Sequence, residues 1–134
     1  MSDMNKCQID IDCWDGLQDC GWCIDPASLR DLDQALERLD SRKYTMVMIL
    51  GEGEQHLTVG GGSGRYVVYA TFDNEEFWNL LCADLKDGMV ALNIGGQEGN
   101  YPARQVVDLE QARAAGRFFF ERRQLDPAQH WERQ

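Results

Sequence analysis

Lysine is scarce in this chain: Lys6, Lys43 and Lys86 are the only three, and all bases together number 13 against 23 acids, for a net charge of −10. The sequence pI is near 4.5. Binding nucleic acid or an anionic membrane depends on Lys and Arg neutralising phosphate, and no basic stripe is present to do it. Histidine is limited to His56 and His130, and neither HExxH nor GxSxG occurs, so the patterns of a zinc hydrolase or a serine nucleophile are missing. No apolar run approaches the roughly 18 residues of a membrane span. The start, MSDMNKCQID, lacks the basic-then-apolar order of a signal peptide, so the expected location is the cytoplasm.

Glycine is plentiful, which raises the question of a phosphate loop. A P-loop ends in Gly-Lys, and no glycine here is followed by lysine. The clusters GGGSG at 60–64 and GGQEGNYP at 95–102 both lead into strand-like segments rather than into a helix N-terminus, so neither offers an anion site. Neighbouring acids such as Glu52 with Glu54, or Glu75 with Glu76, come without a nucleophile or electrophile. The reading is therefore a protein without cofactor and without enzymatic chemistry.

At 134 residues the chain is expected to form a single domain, 1–134, with residues 1–25 as a Cys-rich N-terminal segment. CQIDIDC alternates, with Cys7, Ile9, Ile11 and Cys13 on one side, as a half-buried strand does. The segment from Trp14 to Pro26 has no period and reads as a loop. A helix is expected from Asp25-Pro26, with Ser28 and Asp31 at capping-box spacing and Leu29, Leu32, Leu36 and Leu39 as its inward stripe. YTMVMIL, QHLTV and RYVVYATF then read as strands of an antiparallel meander.

Residues 73–88 suit a short helix, MVALNI a strand, and ARQVV its partner across the GGQEGNYP loop, with Pro102 starting that partner. A last helix follows an Asp108-x-x-Gln111 cap, with Leu109, Ala112, Gly116 and Phe119 or Phe120 inward, and Leu125 and Trp131 tuck down the tail. The fold class is α+β: an antiparallel meander of about five strands with one helix from the N-terminal half and one C-terminal helix packed on it.

Acid is unevenly placed. Residues 1–25 hold six acids and one base and residues 44–100 hold eight and two, while 26–43 balance at four each and 101–134 carry five acids and six bases. Such a protein suits a basic partner. The residues expected at that contact are the loop acids Glu52, Glu54, Asp73, Glu75, Glu76 and Glu98, with Asp15, Asp19, Trp14 and Trp22 from the glycine-bearing N-terminal loop. Tyr66 and Trp78 lie in regular elements and read as core. The cysteines keep a second reading open: Cys7, Cys13, Cys20 and Cys23 crowd into seventeen residues and could ligate zinc or, through the Cys20-x-x-Cys23 pair, exchange disulfides. Cys82 reads as core.

The run GGGSGRYVV, then VALNIGGQEGNYPARQVV, then the small-residue and Phe pattern of the last helix, and finally LDPAQHWE, together resemble immunity protein family one of bacterial polymorphic toxin systems. The resemblance covers roughly residues 26–134 and leaves the Cys-rich start outside. It implies a cytosolic antidote that binds a cognate toxin domain, often a nuclease or nucleic-acid deaminase in such systems, and stops it from killing the producing cell. It brings no catalytic residues.

Overall fold

The computed structural model describes residues 7–84 and 86–134. The first six residues, read above for a signal peptide, and Leu85, inside the segment read as a short helix, lie outside them. In chain order the elements are β1 (Cys7–Ile11), β2 (Trp14–Asp15), β3 (Gln18–Asp19), β4 (Trp22–Ala27), α1 (Leu29–Arg38), β5 (Met46–Leu50), β6 (His56–Gly62), β7 (Arg65–Thr71) and β8 (Phe77–Leu80). Then come β9 (Met89–Ile94), β10 (Gln97–Pro102), a 3-10 turn at Ala103–Gln105, α2 (Leu109–Arg122) and β11 (Trp131–Arg133). The fold is α+β with two helices and an antiparallel sheet, as the sequence predicts, but the sheet has seven strands rather than about five, in the order β11-β8-β7-β6-β5-β1-β4. The strands β5, β6 and β7 form the expected meander, β1 joins them as an expected strand, and β4, β8 and β11 extend the sheet, while MVALNI and its partner stand apart as the two-stranded β9–β10.

Both helices end where local chemistry says they should. Ser28 caps α1 in a reciprocal box with Asp31, and Asp108 accepts the Gln111 N–H at 2.8 Å to open α2. The leucine stripe of α1 and the small face of α2 cover one side of the sheet, where Ile9, Val47, Ile49, Leu57, Val59, Val68, Ala70 and Leu80 are fully buried. Each such Leu or Ile contributes on the order of 2 kcal/mol. Gly116 of α2 faces Ile49 of the sheet and Leu32 and Leu36 of α1. Tyr66 is core as expected, and Trp78 is half-buried.

Four local expectations are corrected. The helix starts at Leu29, because Asp25 and Pro26 belong to the edge strand β4. The stretch 14–26 is not an aperiodic loop but the hairpin β2–β3 followed by β4. The described residues of 73–88 form no helix: Asn74 takes a left-handed φ of 61°, the acids before Phe77 close a turn, and Phe77–Leu80 enters the sheet between β7 and β11. The partner of MVALNI is Gln97–Pro102 rather than ARQVV, so Gly95-Gly96 alone makes the turn and Pro102 ends its strand. With φ of 65° and 77° at those two glycines, this is the two-residue hairpin turn that side-chain-bearing residues form poorly. The hairpin β9–β10 lies across the other side of the sheet, its Ile94 seated on Gly60, where a Cβ would come within 2.5 Å.

Candidate partner-binding surface

Strand register brings the two acidic loops together. His56 pairs with Thr71 and Thr71 with Phe77, so the β5–β6 loop and the β7–β8 loop leave the same end of the sheet. Glu52, Glu54, Asp73, Glu75 and Glu76 are all exposed there. Both loops are held by their own hydrogen bonds. Gly51 N–H reaches Gln55 O at 2.8 Å, and Thr71 Oγ1 donates to Glu76 O at 2.7 Å and accepts the Asn74 N–H at 2.9 Å.

Asp73 is a fastener rather than a free contact: its Oδ1 accepts the N–H groups of Glu75 and Glu76, each at 2.9 Å. The bond from Glu76, then that from Glu75, holds its carboxyl below the usual Asp range. Glu76 meets Arg133 at 3.2 Å, with both side chains more than half exposed, a pair of small net worth in water. Among the described residues Glu52, Glu54 and Glu75 make no ion pair, so three uncompensated carboxylates stand on preformed loops.

The remaining expected contact residues gather at the opposite end and are largely occupied. The Trp14 indole donates to Asp12 Oδ2 at 2.7 Å and lies so close over Gly96 that a Cβ there would sit 2.3 Å from the ring. It clasps the N-terminal segment to the β9–β10 turn. Asp19 Oδ1 accepts from Cys13 N–H at 3.0 Å and Gly21 N–H at 2.8 Å, which fixes its own hairpin. Trp22, 41 % exposed, packs edge-on against Tyr44 and carries the Arg38 guanidinium 5.4 Å from its ring centre. Asp15 is exposed, its neighbours Trp14 and Gly16 line a shallow groove with Asp40, Arg42 and Lys43, and Glu98 is exposed on β10 opposite Asn93. This end mixes charges of both signs, whereas at the other five acids stand with Arg133, paired with Glu76, and with the Arg123 side chain against Gly51.

The four N-terminal cysteines do not converge. Cys7 is in the core, where burial pushes its thiol up against a smaller opposing pull from Arg123. Cys23 stands opposite Asp10 in register and is exposed, as is Cys20, and Cys13 is half-buried. Among the described residues no group of three or more His, Cys, Asp or Glu side chains is placed to hold a metal ion. Cys82 is half-buried and donates to Asp84 O. A groove of about 650 Å³ beside the start of α2 has Arg65, Lys86, Asp84 and Asp108 in its wall, charges of both signs.

Two features escape a reading of the sequence. Asp12, expected on the solvent side of its strand, is a buried hub. Equally unforeseen, His56, Tyr69 and Phe77 meet in space from three different strands. Only the period of two in each strand hinted that these rings share a face.

No helix among the described residues is long and apolar enough to cross a membrane. Residues 25–133 match the model of a family described as immunity protein Imm1. No curated protein matches the chain.

Proposed function

The chain belongs to the Imm1 immunity protein family, and from that membership we propose that it neutralises a basic cognate toxin domain, a nuclease or nucleic-acid deaminase, by laying an acidic surface over its active site or substrate channel. Membership supports an immunity role with a toxin protein as partner. The charge of the partner is inferred from this molecule. Enzymes that act on nucleic acid line their channels with Lys and Arg, and an acidic protein competes for the same field.

The observation that carries the reading is the acidic end of the sheet. Two loops about twenty residues apart in sequence present Glu52, Glu54 and Glu75 together on hydrogen-bonded turns, and Glu76 stands beside them, paired with solvent-exposed Arg133. Charges fixed in this way steer a basic partner from a distance, up to roughly the 8 Å screening length at physiological salt, and raise the association rate. Because the loops are ordered before contact, little conformational freedom is lost on binding. No residue needs to perform chemistry in this mechanism, and its place of action is the cytoplasm of the producing cell.

Co-expression tests it. Growth of cells making the toxin encoded beside this gene should be restored by the protein, and the two should co-purify. Failure to rescue or to form a complex with any neighbouring gene product would sink the reading.

A further inference from the structure

The sheet face turned away from the helices is only half covered. Register sets Leu50, His56 and Phe77 in one row and Met48, Thr58 and Tyr69 in the next, all projecting to that side. The hairpin β9–β10 roofs the row beyond, through Ile94 on Gly60, and stops short of these two. His56, Tyr69 and Phe77 pack against one another with centroids 6.3 to 6.5 Å apart and remain half-buried.

Beneath the rings Thr58 is fully buried, and its hydroxyl, directed to this face, has no hydrogen-bond partner among the described residues. Tyr69 also forms the wall of a groove of about 470 Å³ between sheet and hairpin, with Tyr101 and Ile94 across from it. The aromatic floor and the groove are therefore continuous.

Charge says what fits there. Asp10 stands at the β1 side of the Met48 row, and Glu52, Glu54 and Glu75 rise from the loops next to His56 and Phe77. The two rows contain no Lys or Arg. A second copy would bring acid against acid. The molecule already shows the chemistry that suits such rings: Arg38 covers Trp22 at 5.4 Å, whereas among the described residues no cation lies over Tyr69 or Phe77.

We propose that this open face is the toxin-docking surface and receives an extended segment of the toxin carrying arginine or lysine. The cationic side chains lie over Tyr69, Phe77 and His56, with their charges directed to Glu52, Glu54 and Glu75, and the segment continues into the groove beneath the hairpin. The inference rests on the immunity reading and adds the surface and the kind of segment it takes. An aromatic centre inside a charged rim is the usual anatomy of an interface hot spot.

The test compares full-length variants for binding to the toxin domain encoded by the neighbouring gene, with circular dichroism as the folding control. The pair Glu52→Lys with Glu75→Lys lies on exposed loops and should weaken binding by about a hundred-fold and flatten its salt dependence. Phe77→Ala should weaken it by about ten-fold or more. Asp15→Lys with Glu98→Lys, at the other end, should stay within about two-fold. If wild type binds but both open-face variants bind equally well, the surface is elsewhere while the immunity reading stands. A homodimer in light scattering that Phe77→Ala dissolves would assign the face to a second copy and overturn the inference. If wild type neither binds nor rescues, the functional reading falls and the surface with it.

Discussion

Strand alternation counts Asp12 with Gln8 and Asp10 on the solvent side, yet it is 4 % exposed. Its carboxylate accepts the N–H groups of Thr45 at 2.7 Å and Met46 at 2.9 Å, the Thr45 hydroxyl, and the Trp14 indole N–H. A buried carboxylate is tolerable only with that many donors. Asp12→Ala leaves two backbone N–H groups and an indole without a partner, so it should cost about 3 kcal/mol in urea denaturation, with Asp12→Asn costing less. None of this is legible locally, because the donors at 45 and 46 arrive from another strand. The same holds for Trp14: its glycine-bearing neighbourhood reads as an exposed loop, and only the approach of Gly96 turns the ring into a clasp.

Among the elements, the helices were the most legible. Capping boxes and apolar stripes act within one or two turns, so Ser28, Asp31, Asp108 and the leucines of α1 carry their own instructions. The strands were legible in type but not in partnership. Phe77–Leu80 has an acidic lead-in that suits a helix start, and it became a strand because the sheet offered partners on both sides.

Two glycines separate these influences. At Gly116 a Cβ would meet neighbours at an ordinary 3.6 to 3.8 Å, so Gly116→Ala should raise stability by up to about 1 kcal/mol through helix propensity. At Gly96, with φ of 77° and Trp14 in the way, Gly96→Ala should lower the thermal midpoint and loosen the hairpin. Thermal melts of the two variants side by side check both signs.

For the molecule as a whole, the family match begins at residue 25, but the sheet does not. β1 lies between β5 and β4, with Ile9 and Ile11 in the core. We propose that the Cys-rich start is part of the same folding unit. A chain lacking residues 1–24 should lose cooperative unfolding, seen as a broad, non-sigmoidal denaturation curve; a sharp transition like that of the full chain would refute this. The acids behave likewise: ten expected contact residues separate into two sets at opposite ends of the sheet, and only one set is uniformly acidic.

By itself the sequence determined the acidic character, the two helices with their caps, the α+β class and, through the order of its motifs, the family. These are local or compositional properties, written in neighbours a few residues apart. Tertiary structure alone decided that the chain's two ends extend the sheet to seven strands, that Asp12 is buried, and that carboxylates and aromatic rings from separate strands share one open face. Pairing between distant strands is set by the whole packed core, so no single segment could announce it.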